Sequence, residues 1–387
     1  MLAIINARLE TISQGIIENG EILIDDGKIV SIGEKVDYPD AETKVIDAEG
    51  RTLTPGIIEA HCHVGISEKA KGWAGQDTNE STSPLTPWCR AVDAINMQDD
   101  AFEDFRKTGI TSANVLPGSG NIIGGTTVAI KCNGDIVDQA VIKNPSGMKA
   151  ALGENPKGLY GKQNKTPSTR MGNAAIMREA LEKARSYHDK LENSDSESDK
   201  PDFDRDAEAL LPVINGEIPL RIHCHRADDI VSAVRIAEEF DIQYTLEHIT
   251  QGYQVIDFLK EKNTQNAIGP TIHYGSKVEN RDRDFRTPIK VARNDINFCL
   301  TTDHPVEPGR NLILTAGLAV NWGMDRDQAL RSITLSAAEH IGIDDRVGSL
   351  EKGKDADLVL WSDDPLEFTS FTDLTIIDGE IVYERKV

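Results

Sequence analysis

Apolar residues along this chain follow two rhythms. Up to residue 54 they form short alternating runs, LAIINARL, GEILIDDGKIVSIG and TKVIDAEGRTLTP, separated by turn residues. Period-two alternation predicts half-buried strands, and Asp26-Gly27 between two β-rich runs is a hairpin signal. The end of the chain reads the same way, as DADLVLW and then LTIIDGEIVYE with Asp378-Gly379 as its turn. Neither end is large enough to form a stable sheet alone. The pattern therefore predicts one small β-sandwich-like domain built from both ends, residues 1–54 plus 348–387. Between them, over 55–347, strand-like and helix-like segments alternate, which predicts parallel βα units of an α/β fold. The candidate strands are 56–61, 111–116, 126–131, 148–153, 220–224, 243–247, 267–271 and 298–302. Eight strands close a (β/α)₈ TIM barrel, whose active site lies at the C-terminal strand ends. The segment 126–131 also fits one arm of a hairpin inserted before the fourth strand.

Composition narrows the function. The chain is 39% hydrophobic and 5% aromatic, as expected for a core of Ile, Leu, Val and Ala. No apolar run approaches the roughly 20 residues of a membrane span. The opening MLAIINARLETISQG lacks the features of a signal peptide, so a cytoplasmic protein is expected. Lys plus Arg is 42 against 64 Asp plus Glu, a net charge of −22. That charge repels nucleic acid and anionic membrane and leaves a small molecule as the expected partner; the sequence is compatible with a homo-oligomer. The five cysteines form no CxxC pair and predict no disulfide framework; Cys62, Cys224 and Cys299 read as core fillers. A helix is predicted over 172–191 from Ile176, Ala180 and Ala184. The following 191–208, dense in Asp, Glu and Ser, reads as a solvated, mobile loop.

The candidate chemistry gathers at the predicted strand ends. His61-Cys62-His63 closes the first strand, His223-Cys224-His225 the fifth, His248 the sixth and Asp303 the eighth. Period two puts His61 with His63, and His223 with His225, on one face. Imidazoles and carboxylates at neighbouring strand ends suit a borderline-soft cation. Asp303 otherwise caps the loop that follows it. Glu154 is either a further metal ligand at the mouth of the fourth strand or a turn residue in ALGENPKGLYG. Lys149 is expected near the start of that strand and Lys157 beyond it, leaving no lysine at its end. Of the nine histidines, His188 and His340 are expected to face solvent or cap a helix. Asn155, Tyr160, Arg170, His225, Arg226, His273 and His304 are candidates to line a substrate pocket. Arg170 and Arg226 suit a substrate carboxylate or, equally, the chain's own Asp228 and Asp229. Gly118, Gly120, Gly124 and Gly125 form a flexible loop that only weakly suggests a phosphate cradle.

Taken together, TPGIIEAHCHVG at 54–65 and VGSLEKGKDADLVLW at 347–361 resemble the opening and closing signatures of the amidohydrolase superfamily of metal-dependent hydrolases. The resemblance spans nearly the whole chain, and within the superfamily it looks most like the imidazolonepropionase-related members. It implies His61, His63, His223, His248 and Asp303 as metal ligands, with Asp303 and His248 as catalytic candidates. It implies hydrolysis of an amide or cyclic amide C–N bond by metal-activated water, with Asp303 as general base. The cofactor implied is Zn²⁺, one ion with an optional second; Fe²⁺, Mn²⁺ or Co²⁺ fit the same cage. Prolidase-like members carry a carboxylated lysine on the fourth strand, from which this chain is expected to depart, whereas Glu154 is similar to the glutamate ligand of N-acetylglucosamine-6-phosphate deacetylases. Two alternatives keep the barrel. One is a heterocycle deaminase, for which Asp228 is a poor match to the expected HxxE glutamate; the other is a non-catalytic scaffold, which would have lost ligands.

Overall fold

The computed structural model describes residues 1–39, 43–273, 275 and 277–386. The chain opens with β1 (Leu2–Glu10), β2 (Ile16–Asp25), β3 (Lys28–Gly33), β4 (Lys44–Asp47) and β5 (Thr52–Pro55). A second set follows: β6 (Ile57–Cys62), β7 (Ile110–Val115), β8 (Ile123–Lys131), β9 (Val141–Ala151), β10 (Leu220–Cys224), β11 (Tyr244–His248), β12 (Asn266–Ile268) and β13 (Phe298–Leu300). The chain ends with β14 (Leu358–Trp361), β15 (Thr372–Ile377) and β16 (Glu380–Glu384).

Both chain ends join one eight-stranded sheet, ordered β16-β15-β14-β5-β1-β2-β3, with β4 also paired to β1. Asp26 and Gly27, at φ 46° and 73°, turn β2 into β3, and Asp378 and Gly379, at 48° and 78°, turn β15 into β16. Positive φ at both central positions is the type I′ geometry that matches strand twist. One core draws Leu9, Ile22 and Leu53 from the start of the chain and Leu358 and Ile376 from its end.

The strands β6 to β13 form a second eight-stranded sheet in sequence order, the nearly closed wall of a TIM barrel. The His63 N–H donates to His304 O at 2.8 Å across the remaining gap between the first and last strands. One strand departs from the expected parallel set: β8 runs antiparallel to both β7 and β9. The physical reason is connection length. A parallel crossover needs about a dozen residues or more, and only residues 116–122 separate β7 from β8. The segment 126–131 is thus the third strand of the wall, as expected, and pairs hairpin-fashion with both neighbours instead of being inserted outside it.

Reversal of β8 carries its last residue, Lys131, to the barrel end where the terminal sheet docks. Its ammonium lies 2.9, 2.8 and 2.9 Å from Asp355, Asp357 and Asp378. At the same junction Gly109 (φ 79°) lies so close to β14 that a Cβ would come within 3.0 Å of Val359. The acidic segment 191–208 is not wholly loop. Asp204 caps the helix Arg205–Ile214, accepting from the Asp206 and Ala207 N–H groups, and pairs with Lys183 at 2.6 Å. Among the described residues no helix is long and apolar enough to cross a membrane.

Candidate metal centre and active site

Four imidazoles share one arrangement. His61 Nδ1 meets Glu247 Oε2 at 2.7 Å, and His63 Nδ1 meets Leu116 O at 2.7 Å. His248 Nδ1 meets Gly269 O, and His225 Nδ1 meets Thr250 Oγ1, each at 2.8 Å. With Nδ1 occupied by an oxygen, each ring keeps Nε2 for the barrel mouth, as metal-binding histidines do. His223 has no hydrogen-bond partner at either nitrogen although it is buried. The rings crowd one another: His61 and His248 centroids are 4.7 Å apart, His223 and His248 4.5 Å, and His223 and His225 4.7 Å.

Asp303 Oδ1 faces this cluster, 3.2 Å from His63 Nε2 and 3.8 Å from His61 Nε2. Burial would raise its pKa, but His248, His63 and His61 hold its carboxyl well below the usual range. Burial pushes the His61 pKa down to about 4 and those of His223, His225 and His248 well below the usual imidazole value. Both His248 (φ 76°) and Asp303 (φ 56°) occupy left-handed backbone. Such strain in non-glycine residues persists where the surrounding fold holds it, commonly at functional sites.

Two sets of convergent ligand atoms result: His61, His63 and Asp303, and His223, His225 and Glu279. Glu154 belongs to neither. It begins the helix Glu154–Gly161, and its backbone N–H donates to Glu279 Oε2 at 2.6 Å. The fourth barrel strand also starts earlier than its sequence suggests, at Val141, so Lys149 lies near its end rather than its start. Its Nζ is 2.9 Å from His61 Nε2. Burial draws its pKa down to about 8, and no ion pair among the described residues includes it.

Below the mouth lies a charged layer that sequence reasoning missed. Glu247 is fully buried; its Oε1 accepts from Thr245 at 2.6 Å and lies 3.1 Å from His340 Nε2. His340 is therefore an interior residue, correcting the expectation that it faces solvent or caps a helix. Arg221, also fully buried, donates to the carbonyls of His340 and Ser146 and lies 3.9 Å from Glu247. Glu59 accepts from the backbone and side chain of Thr302 at 3.1 and 2.6 Å, lacing the first strand to the last. Burial raises its pKa to about 7 against these hydrogen bonds. One signal was available: Glu59 and Arg221 each stand two residues before a histidine of the candidate ligand set, so period two turns them inward too.

The expected substrate contacts are mostly committed elsewhere. The Tyr160 hydroxyl is held by Ser83 O at 2.6 Å and Asn121 Oδ1 at 2.5 Å. Arg226 forms two bonds with Asp228 at 2.9 and 2.8 Å, and Arg170 pairs with Asp229 at 2.9 Å. Asn155 donates to Ser119 Oγ at 2.7 Å. In the glycine loop, Gly120 N–H donates to Asn79 Oδ1 at 2.7 Å, so that turn packs on its neighbour and does not stand free as a cradle. His304 accepts from Gly309 N–H at Nδ1, and its buried Nε2 has no partner. His188 lies beside Asp189 on the helix Arg170–Glu192.

The profile of the Amidohydrolase family matches residues 52–382. The chain belongs to the amidohydrolase family. Among solved structures, an amidohydrolase from Thermotoga maritima MSB8 is 37% identical and superposes with a TM-score of 0.95 over 100% of both chains. Amidohydrolase tasK of Hapsidospora irregularis is 27% identical over 95% of this chain, which spans 40% of that protein's length. An imidazolonepropionase of Sphingopyxis alaskensis is 24% identical over 94% of this chain and 92% of its own. This amidohydrolase is accordingly a hydrolase acting on carbon–nitrogen bonds, and its donor-rich barrel mouth suits the metal dependence of the family.

Proposed function

We propose that this amidohydrolase cleaves the C–N bond of a small amide, cyclic amide or N-acyl substrate at the barrel mouth, with Asp303 as general base. The single observation that carries this reading is the convergence of His61 Nε2 and His63 Nε2 on a buried Asp303 Oδ1 that has no hydrogen-bond partner. An ionised carboxylate without a donor is costly to bury, and a divalent cation bound there removes that cost. The donor set fits such an ion: imidazole rings whose Nδ1 is taken by an oxygen and whose Nε2 faces the mouth, plus one carboxylate. His61, His63 and Asp303 would hold it, with His223 and His248 beside them. Zn²⁺ suits this nitrogen-rich set, and Fe²⁺, Mn²⁺ or Co²⁺ suit the same donors. When bound, the ion supplies Lewis acidity and lowers the pKa of a water to about 7.

The remaining work falls to the chain. Asp303 accepts the proton of the attacking water at its free oxygen and returns it to the leaving nitrogen. The Nδ1 partners of His61, His63 and His248 hold these rings in place, so no reorganisation is needed during turnover. Lys149 enters the same reading. An ammonium pressed against His61 Nε2 would repel a cation, whereas the amine carboxylated by carbon dioxide, with loss of one proton, would present two oxygens to it. The contact between Lys149 Nζ and His61 Nε2 supports this form.

The test is elemental analysis together with an amide hydrolysis screen on wild type and Asp303→Asn. Bound metal in both, with turnover lower by about a thousandfold or more in the variant, is the expected result. Metal-free wild-type protein, or full activity in the variant, overturns the reading.

A further inference from the structure

We infer that Glu279, carried by the loop after β12, is a carboxylate ligand that completes a second divalent-cation position with His223 and His225. The inference rests on the reading that the barrel mouth holds divalent metal, and it extends that reading to a donor from outside the barrel strands.

Glu279 is fully buried and split in function between its two oxygens. Oε2 is anchored: it accepts the Glu154 N–H at 2.6 Å and lies 3.6 Å from Arg170. In return, the Glu279 N–H reaches Glu154 Oε2 at 3.4 Å. The anchor needs a glycine beside it. At Gly153 (φ 87°) a Cβ would stand 2.7 Å from Oε2, so a side chain there would expel the carboxylate. Oε1 is left buried without a partner, 3.9 Å from His223 Nε2, which is unpartnered as well. Lys277, on the same loop, turns its ammonium to Asn155 Oδ1. His225 has Nδ1 occupied by Thr250 and offers Nε2.

The three donor atoms lie within 4.8 Å of one another. A tetrahedral ion with bonds of about 2.1 Å separates its ligand atoms by about 3.4 Å, so the 3.9 Å pair needs to move by only about half an ångström. Two imidazoles and a carboxylate select a divalent first-row ion over Mg²⁺ or Ca²⁺. Two buried donor atoms without partners, His223 Nε2 and Glu279 Oε1, facing each other beside His225 are otherwise an unexplained cost; a cation accounts for both.

The experiment titrates Zn²⁺, and in parallel Co²⁺ with its visible spectrum, into metal-stripped full-length wild type, Glu279→Gln and Glu279→Asp. Thermal unfolding of each stripped protein serves as the folding control. Wild type should take up two equivalents. Glu279→Gln should bind the first normally and the second about 100-fold or more weakly, with an altered Co²⁺ spectrum. Glu279→Asp retains the charge but withdraws it by one methylene; it should weaken the second equivalent by a smaller factor, and it decides the matter if the Gln variant fails to fold. Unchanged binding of both ions in a folded variant, or a single equivalent in wild type, overturns the assignment of Glu279 and leaves the proposed function standing. No metal in wild type would instead overturn the proposed function itself.

Discussion

Glu247 Oε2 lies 2.7 Å from His61 Nδ1, so a carboxylate with no exposure to solvent sets the orientation of a candidate ligand ring. The contact fixes the proton on Nδ1 and raises the basicity of Nε2, the nitrogen that meets the barrel mouth. Glu247→Gln retains a hydrogen-bond acceptor but removes the charge. Metal affinity measured with a competing chelator is expected to fall 10- to 100-fold, with the barrel still folded by circular dichroism. Unchanged affinity would mean that the Glu247 contact with His61 only packs the barrel floor.

Lys149 makes a prediction independent of turnover. If its amine is carboxylated, metal uptake by stripped protein should depend on dissolved carbon dioxide. Reconstitution with Zn²⁺ in bicarbonate-supplemented buffer should then exceed that in degassed, bicarbonate-free buffer. Lys149→Met should abolish the difference. Equal uptake in both buffers by wild type would show that the lysine acts as an unmodified amine.

The legible and hidden parts of this molecule divide along physical lines. The Asp-Gly turns and the paired histidines were readable because each rests on local geometry, a type I′ turn or a period-two strand. The direction of β8 was readable in principle from the short 116–122 connection. Lys149 was misplaced because Lys143, Asn144 and Pro145 interrupt the apolar pattern where β9 begins. Glu247 was hidden because the positive φ of His248 breaks strand alternation, so two adjacent residues both serve the interior. Glu279 carries no local signal at all; tertiary packing brings it to Glu154, 125 positions away.

The junction between the two sheets predicts a stability effect remote from the mouth. Lys131 is almost fully buried between Asp355 and Asp357, with Asp378 more exposed beside them. Lys131→Met removes the shared cation and strips buried Asp357 of its ion-pair partner, while Asp355 keeps Lys28 and Arg346. Removing one partner of a buried ion pair typically costs about 3–5 kcal/mol. Urea unfolding should show a loss of that order, while metal binding per folded molecule stays at the wild-type level. A loss below about 1 kcal/mol would place this cluster with exposed ion pairs.

The same cluster fixes the sign of a pH dependence. Burial opposes the charge on Lys131, but Asp357, Asp378 and Asp355 outweigh it and raise the lysine pKa above its ordinary value. A raised lysine contributes stability that is complete below the unfolded pKa of about 10.4 and is lost as pH rises through the folded value. Asp355 behaves in the opposite sense. Burial would raise its pKa, yet Lys28, Lys131 and Arg346 bring it below the usual carboxylate value. Its contribution is present above the unfolded pKa of about 3.9 and is lost as pH falls through the lowered folded one. The stability gap between wild type and Lys131→Met should therefore be flat from about pH 6 to 9 and narrow above roughly pH 10.4. Urea midpoints for both proteins between pH 6 and 11 measure it. A gap that widens at alkaline pH would show that the lysine is held neutral, and that the three aspartates do not overcome its burial.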